Sequence, residues 1–496
     1  MERVSGTFFG FNTALRGLFA QQKAMNTSAH NIANANTPGY TRQQVIMEAS
    51  APFPVPSLNR PGGAGQLGTG VDVNEIRRIR DKFLDYQIRM ELGSMGQWEQ
   101  REEVLKRVET VFMEPSETGL SALFNQFWTA WQELSKNAEN SPIRTTARET
   151  SIALAEAFRH TYRQMDDIRT DLETVAGIKA GQVNTLARQI DGLNKQIANI
   201  VLAGDSPNDL MDQRDLLLDE LAKLVDFTIE ENLVDRPTTG GAIIRVPDGQ
   251  IRIYLGKSKE AEHLLLDVNQ PVNVREIAYS SADNDFKWVE DGSSSPPLLG
   301  NSVAITDGEM FGLMAARDLA MSYLEDIDGL ARDLMRELNK LHQEGWDLNG
   351  QQEVDQFFVG SGAADLDVHD LIKEDVSRIR ASADPDNKGN GEVALRIAQL
   401  KNAVISDGEK LKNTTIDRYY NDLISRIGVA AHEAGRMTTN QEALVNQLEN
   451  RKETVSGVSL DEEMAYLLQY QRAYQAAARV IMTLDEIIQT ILSIKR

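Results

Sequence analysis

The sequence predicts a mainly α fold with a small β insert. N- and C-terminal helices pair with each other, both halves of the chain supply a discontinuous helical bundle, and an antiparallel β domain is inserted between the halves. Three observations predict it. Apolar residues recur every three or four positions over both ends and most of the interior, which is the helical period. That pattern gives way to short alternating runs between turn signals at 228–305. The order is therefore helix, helix, β, helix, helix, and each half's helices need the other half's apolar faces. A chain of 496 residues exceeds one ordinary core, and two to four domains are expected. The expected division is 1–50 with 456–496 as a terminal helical core, 51–227 with 306–455 as the bundle, and 228–305 as the inserted β domain. Residues 355–383 are undecided, with room for a small extended segment.

The first helix starts near Phe8. Phe11, Leu15, Leu18, Met25, Ala29 and Ile32 continue one face, with Gln22 interrupting it. Gly6, Gly10 and Gly17 each cost about 1 kcal/mol relative to Ala in a helix interior, so this helix needs a partner. Beside the stripe stands His30. Asn31, Asn34 and Asn36 then stop the helix, and Pro38-Gly39 redirects the chain. His30 reads as a capping or packing residue near Asn side chains that bond backbone groups. Residues 50–75 are turn-rich, with Val71, Val73 and Ile76 alternating as a short extended segment. Helical patterns follow over 81–107, 120–137, Pro142 to about 202, and 210–224. The pieces TIEE, AIIRV, IRIYL, HLLL, VNVREIAY and FKWV then read as strands of one antiparallel domain. Helical periodicity returns over 308–342, and a last long helical region is expected over 392–451.

The C-terminal end is the most regular. Leu460, Leu467, Tyr474, Ile481 and Ile488 are each seven apart, and Tyr470, Ala477, Leu484 and Ile491 follow at three. Ala473, Val480, Ile487 and Ile494 broaden the face beyond a two-stranded seam. From Ser459 to Ile494 the helix would be roughly 54 Å long at ~1.5 Å per residue. Ser459 with Glu462 fits a capping box at its start.

Composition narrows the function classes. With 52 basic against 74 acidic residues the net charge is −22, and no basic stripe for nucleic acid is visible. No stretch of 18 apolar residues would span a membrane. The opening MERVSGTFFGFNTALRG lacks a charged head before an uninterrupted apolar run, so a cleaved signal peptide is not expected. Cysteine is absent, which removes disulfide and thiol chemistry.

Nothing reads as a catalytic, cofactor or metal site. The six histidines are scattered without ligand spacing. "AHEAGR" at 431–436 lacks the second His of a zinc protease motif. "RPGGAGQLGTG" has no Lys-Ser or Lys-Thr after it and reads as a turn. "DPDNKGNGEVAL" at 384–395 begins like a calcium loop. Lys388 stands at its fifth place and Leu395 at its twelfth, so it reads as a polar loop capping the next helix. "LMDQRDLLLDEL" at 210–221 puts Asp212, Arg214, Asp215, Asp219 and Glu220 on one helix, where local ion pairing on a solvated face is expected. A glycosidase pair is the weaker alternative, because carboxylates can converge in space.

The most specific motifs lie at both ends and in the bundle. "HNIANANTPGYTRQQV" at 30–45 and "SLDEEMAYLLQYQRAYQAAARVIMTLDEIIQTIL" at 459–492 resemble the N- and C-terminal signatures of flagellar axial proteins. "GTGVDVNEIRRIRDKFLDYQIR", "LSALFNQFWTAWQELSKNAENSPIRTTARE", "QVNTLARQIDGLNKQIAN", "NDLMDQRDLLLDELAKLV" and "NKLHQEGWDLNG" are similar to the hook-associated, hook–filament junction members of that family. The 228–305 segment adds little to the resemblance.

The resemblance implies a structural subunit that polymerises helically at the flagellar tip after export, outside the cell, with no enzyme activity and no cofactor. It implies as partners copies of the chain itself, the hook protein, the second junction protein, and an export chaperone on the C-terminal helix. It assigns Asn31, Asn34, Asn36, Thr37, Pro38, Gly39 and Tyr40 to a turn at the arm's end, and Leu460, Leu467, Tyr470, Leu484 and Ile488 to an interaction face. A hook or distal-rod protein is the alternative within the family. An extracellular adhesive module and a cell-wall hydrolase are the alternatives outside it.

Overall fold

The computed structural model describes residues 8–52, 68–112, 119–237, 243–268, 273–291 and 298–494. Gly6, positions 60–67 of the glycine-rich turn and positions 292–297 of the insert lie outside the described residues. In chain order the elements begin with α1 (Phe8–Ala33), β1 (Gln43–Ala49), β2 (Val71–Arg78), α2 (Lys82–Phe112), α3 (Leu120–Lys136), α4 (Ser141–Ala203) and α5 (Asn208–Leu224). Strands β3 (Phe227–Pro237), β4 (Ile243–Leu255), β5 (Leu264–Leu266), β6 (Ile277–Ser280), β7 (Asp285–Asp291) and β8 (Leu298–Ser302) come next. The chain continues with α6 (Glu309–Gln343), β9 (Phe358–Val359), β10 (Asp367–Val368), α7 (Asp370–Glu374), α8 (Glu392–Gln399), α9 (Ile416–Ser456) and α10 (Leu460–Ile494).

Two units form. The first holds Met1–Leu92, Val183–Glu276 and Ala443–Arg496. In it α1 packs along α10. The pair is antiparallel: an ideal Cβ at Gly10 would lie 3.5 Å from Leu484, whereas Ala24 and Thr27 share a cleft with Tyr466 and Tyr470. β1 and β2 form an antiparallel ribbon with a bulge between Ile46 and Met47. β1 is a strand that the polar run at its start concealed. The sheet β3-β4-β5 lies beside the end of α4, where Asn194 Nδ2 donates to the Ile251 carbonyl at 2.9 Å.

The second unit holds Gly93–Gln182 and Ile277–Glu442. Its core concentrates the aromatics. Phe124, Phe127, Trp128 and Trp131 project from one side of α3, the spacing of a helical face. Trp131 meets Phe357 at 5.1 Å between ring centroids, and Phe124 meets Phe158 at 5.7 Å and Tyr420 at 5.9 Å. Within this unit α2 and α6 come very close, and an ideal Cβ at Gly312 would lie 2.3 Å from the Gln97 carbonyl oxygen.

Two expectations change. The span 228–305 makes two three-stranded sheets, β3-β4-β5 and β6-β7-β8, which belong to different units. Alternation marks a strand's buried side but does not say which helix covers it. Here Asn194 of α4 holds the first sheet, while Arg317 of α6 bonds Asn284 at the β6–β7 turn at 2.6 Å. The helix expected over 392–451 is also interrupted, between α8 and α9. There Asp333, buried on α6, accepts the backbone N–H groups of Glu409 (2.7 Å), Lys410 (2.9 Å) and Leu411 (2.9 Å). A carboxylate thus takes donors that a helix would direct to its own carbonyls. Residues 355–383 resolve into the short β9–β10 pair, α7 and connecting loops.

Candidate assembly site at the paired termini

The seam between α1 and α10 is built from the regular stripe. On α10 the part-buried positions are Leu467, Tyr470, Tyr474, Ile481, Leu484 and Ile488, and on α1 they include Phe11, Leu15, Leu18, Met25 and Ile32. Burial deepens toward one end. Among the described residues the fully buried positions of α1 are Ala20, Ala24, Thr27, Ser28 and Asn31, all from its midpoint onward. Ser459 Oγ accepts the Glu462 N–H at 3.4 Å at the start of α10, where a cap was expected. Leu460, the first residue of α10, is exposed.

Asn31 closes the end of α1. Its amide donates to the Gln43 carbonyl at 2.9 Å, and its Oδ1 accepts from the Gln43 N–H at 3.0 Å and the Tyr40 hydroxyl at 2.7 Å. The side chain thereby does for β1 what a neighbouring strand would do. Asn34 folds back, donating to the His30 carbonyl at 3.0 Å, and Thr37 Oγ1 donates to Asn34 Oδ1 at 3.2 Å. Tyr40 N–H bonds the Thr37 carbonyl at 3.1 Å, with Pro38 and Gly39 between them and Gly39 at φ 76°. That is the turn which takes Pro second and Gly third. Asn36, Thr37, Pro38 and Gly39 are exposed. His30 Nε2 lies 3.3 Å from Asp209, and its ring packs edge-on to Tyr40 at 5.5 Å.

Arg42 ties this turn to α10. Its Nε donates to the buried Glu463 at 2.8 Å, its Nη1 lies 3.1 Å from Glu462, and its N–H bonds the Ser456 carbonyl at 2.9 Å. Below it, α5 presents a row of carboxylates. Asp209 accepts from Gln43 Nε2 (2.7 Å) and Asp212 from the Thr41 N–H (2.9 Å) and Arg78 (2.7 Å). Asp215 meets Arg78 (2.7 Å), Arg80 (3.0 Å) and Arg89 (3.3 Å), and Asp219 meets Arg89 (2.7 Å) and Lys452 (3.2 Å). Burial alone would raise the Asp215 pKa, but the guanidinium groups of Arg80, Arg78 and Arg89 overcome it and hold the carboxyl at about 2. Burial and the charges of Asp209, Asp212 and Glu463 push the Tyr40 phenol up, so it stays a donor.

The solvated face expected for "LMDQRDLLLDEL" is therefore overturned in part: Asp212 and Arg214 are buried and Asp215 nearly so. Their partners come from 78–89 and 452, too distant in sequence for a helical ion-pair rule to find. Arg214 turns the other way, to Asn194 (2.8 Å) and the Gly249 carbonyl (2.6 Å).

Outside the seam α10 keeps more apolar surface than a solvated helix needs. Met464, Tyr466, Leu468, Val480, Met482 and Ile487 are 40–57% exposed. At ~100° per residue, Met464, Leu468 and Met482 fall on one flank of the seam and Val480 and Ile487 on the other. Phe19 of α1 is also exposed.

The metal decoys do not converge. His432 and Glu433 are exposed on α9. Asn390 Oδ1 accepts the Glu392 N–H at 2.8 Å, so the 384–395 loop caps α8. Among the described residues, Glu260, Glu262 and His263 come within metal-binding reach of one another, with both carboxylates exposed. No helix of the described residues is long and apolar enough to cross a membrane.

The chain resembles known proteins over nearly its whole length. Residues 105–358 match the model of the flagellar hook-associated protein FlgK helical domain. The ends match the flagella basal body rod protein model at 11–41 and the flagellar basal body rod FlgEFG protein C-terminal model at 454–494. The chain is 33% identical to flagellar hook-associated protein 1 of Bacillus subtilis over 509 residues, 99% of each. It is 26% identical to the Salmonella typhimurium protein of that name over 575 residues, 98% of this chain and 99% of the other. The solved hook junction protein FlgK from Burkholderia pseudomallei shares the fold, with TM-score 0.59 and 14% identity over 75% of this chain and all of that one.

Proposed function

We propose, on the premise that this chain belongs to the flagellar hook-associated protein 1 family and is a structural, non-enzymatic protein of the hook–filament junction, that α10 is its principal assembly helix. One face of α10 is taken by α1 of the same chain. The two apolar flanks serve neighbours on either side. A tube subunit needs such heterologous contacts, which propagate and do not close into a dimer. The single observation that carries this reading is the pair of exposed flanks beside an occupied seam.

The chain works among hook and filament components of the extracellular flagellum. The finer assignment is that its flanks meet copies of itself, the hook protein on one side of the junction and the second junction protein on the other. Before assembly an export chaperone covers the same flanks. The turn from Asn31 to Tyr40 sets where the N-terminal arm ends.

Met482→Glu tests the reading. The free subunit should melt as the wild type does, because the side chain is already 57% exposed. Chaperone affinity should fall, and hooks should lack filaments. Normal filament attachment would overturn the assignment of this flank.

A further inference from the structure

Four acidic residues of α5, Asp209, Asp212, Asp215 and Asp219, share one side of the helix and touch the segment after α1, the ribbon, α2 and the end of α9 that leads toward α10. Asp209 reaches His30 and Gln43, and Asp212 the Thr41 N–H. Asp215 and Asp219 bind Arg78 of the ribbon, Arg80 of the link between the ribbon and α2, Arg89 of α2 and Lys452 of α9. Asp85 joins the same cluster through Arg80. Arg42 adds the link from the turn to Glu463 at the start of α10.

We infer that α5 is a latch: its carboxylate row fixes the roots of both arms in the free subunit, so that the arms leave the folded body in a set direction before any neighbour is present. This rests on the assembly reading above, in which the flanks of α10 meet neighbours, and adds that the outer parts of the arms gain their full order only on polymerisation.

Three features carry it. The polar contacts of the row fall on His30 at the root of α1, on residues 41–43 and 78–89, and on Lys452, with none among the described residues nearer the tip of either arm. Among the described residues the fully buried side chains of α1 end at Ala20, and the one buried side chain of α10 is Glu463 at its root. Beyond those points each arm holds the other through half-buried contacts, which are insufficient to order long helices alone. Finally, the inner rungs pair carboxylates with guanidinium groups, which keep their charge at any working pH. Assembly then orders only the arms, because their direction is already set.

Amide hydrogen exchange on the full-length subunit tests this. In the wild type the N–H groups of residues 41–43 should be protected while those of 9–18 exchange freely. Asp212→Ala removes the acceptor of the Thr41 N–H. Protection at 41–43 should drop roughly tenfold or more, as expected for losing a hydrogen bond to a charged group. Polymerisation should start after a longer lag, with tryptophan fluorescence unchanged. If Asp212→Ala does not fold, Asp215→Asn is read the same way. Free exchange at 41–43 in the wild type, or unchanged protection in both variants, overturns the latch. Equal protection at 9–18 and 41–43 in the wild type instead contradicts the loose-arm reading, and the latch is then judged by the variants alone.

Discussion

Asp215→Asn probes the root of the arms most sharply. In the folded chain this carboxyl is nearly buried among Arg78, Arg80 and Arg89 and has a pKa of about 2, against an ordinary 3.8. The folded value is the lower one, so ionisation stabilises the fold. The contribution is fully present above about pH 4 and is lost as the pH falls toward 2. A displacement of roughly two pH units corresponds to about 2–3 kcal/mol at neutral pH. Leaving three guanidiniums short of a carboxylate could bring the loss to the ~3–5 kcal/mol typical of a broken buried pair. Near pH 3 the wild type keeps about half of that contribution, so the gap between the two proteins should narrow there. Urea unfolding followed by amide exchange in α5 and β2, at pH 7 and pH 3, measures it. All five tryptophans, Trp98, Trp128, Trp131, Trp288 and Trp346, belong to the second unit, so their fluorescence is a control that should not move. A variant within about 0.5 kcal/mol of wild type at pH 7, the usual effect of a surface change, would refute the reasoning. So would a gap of equal size at both pH values.

Other outcomes follow from single contacts. His342 is fully buried, its Nε2 accepting the Arg380 N–H at 3.1 Å, and burial pushes its pKa down to about 3. The second unit should therefore lose stability as the pH falls from 6.5 toward 3, by about 2 kcal/mol at pH 5, and tryptophan fluorescence during unfolding should show it, with His342→Gln flattening the dependence. Gly312→Ala sets a methyl 2.3 Å from the Gln97 carbonyl oxygen and should cost ~1–3 kcal/mol in the same assay. Leu467→Asp places a charge in the seam and should loosen α1 from α10 by circular dichroism as well as block filament attachment. Leu468→Asp, on a flank, should block attachment while helix content in the subunit holds.

Much of this was legible because helices announce themselves by period. The stripe of Leu467, Tyr474, Ile481 and Ile488 identified α10 to within a residue at its start. Its excess width, with Val480 and Ile487, already exceeded what one partner covers. The Pro38-Gly39 turn and the capping Asn residues were readable from local chemistry. Three things were not. The polar run Thr41-Arg42-Gln43 hid a strand, since the Thr41 and Gln43 N–H groups and the Arg42 side chain are satisfied by Asp212, Asn31 and Glu463 from elsewhere in the chain. The acidic row of α5 looked like solvated helix, because Arg78, Arg80 and Arg89 are brought to it only by tertiary folding. Val404, Ile405, Leu411 and Ile416 kept a helix-like apolar pattern through a loop that the buried Asp333 carboxylate shapes.

Thiol labelling tests the central claim most directly, since the chain has no cysteine of its own. Met482→Cys and Ile487→Cys place single thiols on opposite flanks of α10, and Asp318→Cys supplies a control on a side chain 72% exposed. The account predicts that a maleimide modifies all three quickly in the free subunit. In isolated flagella that carry the variant at the hook–filament junction, only the control should remain reactive. Equal labelling of Cys at 482 and 487 before and after assembly would contradict it.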